Sequence, residues 1–113
     1  MDTPATPRIS VILPAKNEAE GLRRTLPGLS ELLPEAEVIV VDDGSSDETA
    51  AVAREHGALV LSSPYSMGNG AAIKRGARAA RGEVLVFLDA DGQHNADLIP
   101  SLLSRLDQGF DMV

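Results

Sequence analysis

The chain has no cysteine and no tryptophan, and its aromatics stop at two Phe and one Tyr, 3% of 113 residues. Without cysteine there is no disulfide framework, thiolate metal site or cysteine nucleophile, which accords with a cytosolic setting. With so few aromatics, the core has to be built from Val, Ile, Leu and Ala. No apolar run approaches the roughly 20 residues needed to cross a bilayer. The opening MDTPATPR carries two prolines and no apolar run. It therefore does not read as a signal peptide, and residues 1–7 are expected to be a flexible N-terminus. Basic residues are also in short supply: 10 Lys+Arg against 17 Asp+Glu, a net charge of -7. That balance argues against a nucleic-acid partner, which would call for a basic face.

What is present is globular in character, with 43% hydrophobic and 24% charged residues in a length that fits one ordinary domain. The acids are clustered. Asp42, Asp43, Asp47 and Glu48 form one group, and Asp89 and Asp91 another. Lys74, Arg75, Arg78 and Arg81 form a stretch without an acid. Acids facing cations suit a metal-bound anionic ligand.

Ile9–Leu13 is a short apolar run before Pro14. The spacing then predicts a helix from Asn17, with Asn17 and Glu20 as a capping box. Leu22, Leu26, Leu29 and Leu33 supply one apolar stripe. Pro27-Gly28 interrupts that stripe, which predicts a kink or two short helices. Val38–Val41 is a second β-branched run, ending in Asp42-Asp43-Gly44. Ser45 and Glu48 read as a second capping box, for a helix over Ala50–His56 closed by Gly57. Ala58–Leu61 reads as a third strand and residues 63–70 as a turn-rich loop. A helix is expected over Ala71–Arg81 and a fourth strand over Val84–Leu88. Asp89–His94 reads as a loop, Leu98–Leu106 as a last helix and Phe110–Val113 as the start of another strand.

Strand and helix thus alternate, and the strands are continuous apolar runs. Such strands are buried on both faces, so the expected fold is α/β: a parallel-stranded, Rossmann-like sheet of at least four strands with helices on both faces. Ligands of these sheets bind beyond the carboxyl ends of the strands. Residues 14–18, 42–45 and 89–93 would all lie along that rim.

In extended chain, residues i and i+2 point the same way, so Asp89 and Asp91 can face one point with Ala90 turned aside. Two carboxylates that close repel unless a cation lies between them or one is protonated. Oxygen ligands without sulfur suit Mg²⁺ or Mn²⁺, although a solvated turn with two exposed acids is the blander account. For Asp42-Asp43-Gly44-Ser45 the blander account is a tight turn with a helix cap. It leaves two consecutive acids unexplained, and a carboxylate there could accept a hydrogen bond from a nucleobase or a ribose. Gly68-Asn69-Gly70 opens a helix but lacks the third glycine of a dinucleotide fingerprint. It still favours an anion, with Lys74 one turn inside. Arg75, Arg78 and Arg81 read as a solvated helix face. His56 reads as a helix-end residue, and His94 as a neighbour of the Asp89/Asp91 pair.

VILPAKNE, VIVVDDGSSDET, GNGAAIKRGARAARGE and VLVFLDADGQH stand in that order. With them the chain resembles the nucleotide-binding half of the family 2 glycosyltransferases, which have the GT-A fold, and looks closest to the dolichol- or polyprenol-phosphate mannose synthase branch. The resemblance covers residues 8–113. It implies that these residues are the nucleotide-sugar-binding part of a GT-A domain, truncated on its C-terminal side. It further implies that Pro14, Lys16 and Glu18 line the nucleoside pocket, with Glu18 reaching the ribose, and that Val41 and Asp43 bracket the base. Asp89, Ala90 and Asp91 would be the D-x-D element, holding Mg or Mn on the sugar diphosphate, with Asp91 catalytic. Gln93 would lie near the sugar or phosphates. Two positions depart from the branch: Lys16 stands where Tyr is usual, and Asn95-Ala96 replaces a frequent Pro-Pro.

The activity implied is transfer of a sugar, with inversion, from a GDP- or UDP-linked donor to an acceptor such as a polyprenol or dolichol phosphate. The metal would act as a Lewis acid on the departing diphosphate. A phosphate acceptor is already anionic, so no general base is required of it. The setting implied is the cytoplasm or the cytoplasmic face of a membrane, with any membrane association made through parts beyond these residues. A homodimer is expected through sheet left uncovered. Three other readings remain open. One is a donor-binding module without turnover. Another is a retaining synthase acting on phosphoglycerate. The third is a haloacid-dehalogenase-type phosphatase using Asp89-Ala90-Asp91-Gly92, although that motif normally opens its chain.

Overall fold

The computed structural model describes residues 9–88. The elements expected after Leu88 lie outside the described residues. Within them the order is β1 (Ile9–Ala15), α1 (Ala19–Leu32), β2 (Glu37–Asp43), α2 (Thr49–Glu55), β3 (Leu59–Ser63), α3 (Asn69–Ala79) and β4 (Val84–Phe87). The strands form one parallel sheet in the order β3-β2-β1-β4. The expected α/β architecture is therefore the observed one.

The period-two alternation of the strands sorts their apolar side chains into two layers. Val11, Leu13, Val40 and Val86 pack with Leu22, Leu26 and Leu29 of α1 and Val52 of α2. Ile12, Ile39 and Val41 face the other way and pack with Ala72 of α3. Helices thus cover both faces. Each fully buried Leu, Ile or Val contributes about 1.5–3 kcal/mol by leaving water. The apolar stripe of α1 accounts for three of them, with Leu22 at 0%, Leu26 at 3% and Leu29 at 1% exposure.

Three local expectations are corrected. Pro27 does not divide the helix in two: α1 is one continuous 14-residue helix. Pro27 lies on its exposed side, as does Arg23 one turn earlier. The carbonyl that proline deprives of a partner can therefore be hydrated. Secondly, β3 is an edge strand among the described residues and only half-covered, Leu59 being 47% exposed. Its apolar sequence alone gave no sign of this. Thirdly, β1 runs through Pro14 to Ala15. Pairing to β4 ends at Ile12↔Phe87, so Pro14 comes after the ladder on that side has ended among the described residues, and proline is tolerated there.

The approach of α3 to the sheet is set by Gly76. A Cβ built on it would lie 2.4 Å from Ile12 Cγ2 and 3.3 Å from Val41 Cγ2. Alanine would improve helix propensity by up to about 1 kcal/mol, but overpacking a tight contact costs typically 1–3 kcal/mol. Gly76→Ala is expected to lower the free energy of unfolding by about 1–2 kcal/mol net, read from the urea midpoint at unchanged slope. An unchanged or raised midpoint would show that Ile12 yields freely.

Candidate functional site

The parallel register places the ends of β1 and β2 side by side, with Pro14↔Val41 and Ala15↔Asp42 as neighbours. β3 continues the rim through Asp42↔Ser62 and Asp43↔Ser63. Of the sequence-predicted site residues, Pro14, Lys16, Glu18, Val41 and Asp43 are brought to this rim. Asp89, Ala90, Asp91 and Gln93 lie outside the described residues. So does His94, whereas His56 closes α2 with Nδ1 2.9 Å from the Val52 carbonyl oxygen.

The two consecutive acids at the end of β2 point to opposite faces. Asp42 follows Val40 toward α1 and α2, and accepts from the Ser45 N–H at 3.0 Å and the Ser62 hydroxyl at 3.4 Å. Asp43 follows Val41 toward α3. It accepts from the Met67 N–H at 2.7 Å, the Ser66 hydroxyl at 2.9 Å and the Gly68 N–H at 3.0 Å. Both acids are buried, at 7% exposure each. The loop before α3 gives its N–H groups to the chain's own Asp43, where the sequence favoured an anionic ligand. Lys16, itself exposed, adds a favourable charge beside it. The Met67 N–H is the foremost cause, against the opposing effect of burial and joined by Ser66, Gly68 and Lys16, in holding Asp43 below the ordinary carboxylate range.

Gly44 is fixed by the same arrangement. Its φ is +73°, and a Cβ there would lie 2.5 Å from both Ser66 N and Tyr65 C. The β3–α3 loop therefore crosses directly over the β2–α2 turn.

The β1–α1 loop is bound to that turn from the other side. Asn17 adopts φ +54°, a left-handed conformation that Asn tolerates better than most residues. Its N–H donates to Ser45 Oγ at 2.9 Å, and its Oδ1 accepts from the Ser46 N–H at 2.8 Å. The Glu18 N–H donates to Thr49 Oγ1 at 3.0 Å and the Ala19 N–H to Asp47 Oδ2 at 3.3 Å. Asp47 Oδ1 also accepts from the Thr49 N–H at 2.9 Å and from the Thr49 hydroxyl. Neither predicted capping box forms. The residues preceding α1 and α2 make no side-chain cap, and Asp47 serves both helix starts instead. Thr49's hydroxyl first, against burial, and then the N–H groups of Thr49 and Ala19 hold Asp47 below the ordinary carboxylate range.

Val41 is 1% exposed, so the expected bracketing of a base by this residue finds no open surface on it. Lys74 is exposed on α3. Arg75 is not simply solvated: it donates to the Ser62 carbonyl at 3.1 Å and Ser63 Oγ at 2.8 Å, tying α3 to the end of β3. Arg81 pairs with Glu37 at 3.0 Å at the opposite end of the sheet. A cleft of about 530 Å³ opens there, lined by Glu37, Val38, Leu59 and Arg81 among others. It is remote from the rim, and of its three charged residues Arg81 pairs with Glu37 while Glu35 adds a further carboxylate. Among the described residues no group of three carboxylate or imidazole side chains is placed to hold a metal. No described helix is long and apolar enough to cross a membrane.

The sequence model described as Glycosyl transferase family 2 matches residues 10–113. The chain belongs to glycosyltransferase family 2. An uncharacterized glycosyltransferase of Mycobacterium bovis is 39% identical over 106 residues, covering 93% of this chain and 46% of that protein. The undecaprenyl-phosphate 4-deoxy-4-formamido-L-arabinose transferase of an Enterobacter species is 38% identical over 118 residues, covering 94% of this chain and 36% of the relative. The chain thus spans less than half the length of these curated relatives. Among solved structures, glucosyl-3-phosphoglycerate synthase from Mycobacterium tuberculosis superposes with a TM-score of 0.74 and 35% identity. That structure is a complex with Mn²⁺, UDP and glucosyl-3-phosphoglycerate, and the match covers 87% of this chain and 39% of the synthase. The four-stranded parallel sheet is the GT-A one.

Because Asp43 and Asp47 are both depressed, the stability they supply is complete above the ordinary unfolded value of about 3.9. It is lost as pH falls through their folded values. Denaturant stability is expected to hold from about pH 7 to 5 and to drop below about pH 4. Asp43→Asn should begin about 1–3 kcal/mol less stable and lose less on acidification. Equal acid slopes for the two proteins would remove Asp43 from this account.

Proposed function

We propose that this protein is the donor-binding part of a metal-dependent glycosyltransferase that takes a sugar from a uridine-diphosphate sugar and passes it to a polyprenol phosphate. The observation that carries the reading is the stitched rim, where Glu18, Lys16 and Asp43 share the carboxyl ends of two adjacent strands in a family 2 fold. Glu18 lies at the start of α1, half-buried, within reach of a nucleoside laid along that rim, and is assigned the ribose. Pro14, half-buried beside Val41, is assigned to the floor, and exposed Lys74 on α3 to the phosphates.

The state of Asp43 bears on the base. A carboxylate offers about four acceptor positions, and three are taken by Ser66, Met67 and Gly68. One remains, on Oδ1. Uracil presents a single ring N–H. Guanine presents two neighbouring donors, and receiving both would break a bond to the loop. UDP in the related synthase structure agrees with uridine.

Asp89 and Asp91 follow Leu88, whose N–H bonds to the Ile12 carbonyl at 3.0 Å beside β1. Their all-oxygen donor chemistry fits Mg²⁺ or Mn²⁺. A divalent ion held by them would supply Lewis-acid stabilisation of the leaving diphosphate. Gln93 is assigned to the sugar or phosphates. In the transfer, an acceptor phosphate oxygen forms the new bond to the anomeric carbon, and the bond to the nucleoside diphosphate breaks with its electron pair. The relative acting on undecaprenyl phosphate supports the lipid acceptor. The synthase likeness supports a second reading, in which phosphoglycerate is the acceptor.

Titration calorimetry with Mn²⁺ is expected to show UDP binding at least about tenfold more tightly than GDP, a difference of about 1.4 kcal/mol. Asp91→Ala should abolish the metal dependence. Equal affinities for the two nucleotides would overturn the base assignment, and metal-independent binding would overturn the D-x-D assignment. Transfer of labelled sugar to undecaprenyl phosphate against phosphoglycerate decides the acceptor.

A further inference from the structure

We propose that Asp47 is a positioning residue for the donor, acting through the backbone of Glu18 and Ala19. The inference rests on the reading of this rim as a donor pocket with Glu18 at the ribose.

The geometry is asymmetric in a way that capping alone does not require. Asp47 divides its two oxygens between two elements: Oδ2 receives Ala19 of α1 at 3.3 Å and Oδ1 receives Thr49 of α2 at 2.9 Å. The Thr49 hydroxyl donates to the same Oδ1. Its one hydrogen is thereby committed, and its lone pairs are left for the Glu18 N–H at 3.0 Å. Thr49 is 0% exposed, so water does not replace Asp47 as that acceptor. Asp47 thus sets the direction of the hydroxyl that holds Glu18, and directly holds the residue after it. On the other side, Asn17 is kept in its left-handed conformation by Ser45 and Ser46. Glu18 is therefore fixed from both sides by one neighbouring loop, and the aim of its side chain follows from that loop.

Asparagine at position 47 is the informative substitution, because it keeps the size of Asp47 but has one acceptor oxygen. It can serve Thr49 or Ala19, and its amide meets the other N–H donor to donor. In the intact protein, Asp47→Asn is expected to raise amide exchange at Glu18 and Ala19 by about tenfold, with the β1 and β2 amides unchanged. Wild type should bind UDP about tenfold more tightly than 2′,3′-dideoxy-UDP. That ratio should fall toward one in Asp47→Asn and in Glu18→Gln, with no further fall in the double variant. If Asp47 only caps helices, both nucleotides weaken by the same factor and the ratio survives, which overturns the proposal. Unchanged exchange at Glu18 and Ala19 also overturns it. Failure of wild type to bind either nucleotide is a separate result: it removes the donor reading and leaves Asp47 a cap, so the proposal falls with it.

Discussion

Hydrogen bonds from backbone N–H groups to carboxylates hold the carboxyl end of this sheet together. β2 ends in Asp42 and Asp43, and Asp47 follows within the same turn. Between them these three side chains accept N–H groups from α1, from α2, from their own turn and from the loop before α3. Loops at a strand end carry backbone donors that no sheet or helix can satisfy, and burying them unpaired is costly. Charged acceptors meet that need with bonds stronger than neutral ones. They also do so across distance in sequence, so three loops that could move separately become one surface.

That surface has a chemical character as well as a shape. Lys16 is the cation beside Asp43, and elsewhere at the turn Arg23 pairs with Glu48 at 3.0 Å while Asp47 adds a further negative charge. An anionic ligand at such a rim has to bring or find positive charge. Lys16 and Lys74 on α3 are exposed cations of that kind, and the ion proposed for Asp89 and Asp91 would be another. The net charge of -7 makes the same point for the whole chain: an anionic ligand here would depend on a few placed cations rather than a basic field.

The fold was legible because Val11–Leu13 of β1 and Val38–Val41 of β2 are unbroken apolar runs in the middle of the sheet, where sequence and burial agree. The stripe of Leu22, Leu26 and Leu29 fixed α1 in the same way. The helix caps were not legible. Asn17/Glu20 and Ser45/Glu48 match the local spacing of a capping box, yet the partners that Ser45, Asp47 and Thr49 take lie 28 to 31 residues away. No local pattern contains that pairing. Asp43 was identified as a site residue without any sign that Ser66, Met67 and Gly68 already engage it, because the loop's path over Gly44 exists only in three dimensions. Arg75 and Arg81 looked like surface cations for a similar reason, since their partners Ser62, Ser63 and Glu37 are on other elements.

The crossing at Gly44 limits how this scaffold can be rebuilt. Tyr65 and Ser66 pass so near the turn that any side chain at position 44 would collide with them, and Asp43 grips the next two residues. Swapping in the 64–68 segment of a cousin enzyme to change its sugar-nucleotide preference would leave a foreign stretch over an unmatched saddle. Grafts should therefore carry residues 42–49 and 62–70 as a single cassette, with shuffling breakpoints placed at the far, amino-terminal edge of the sheet.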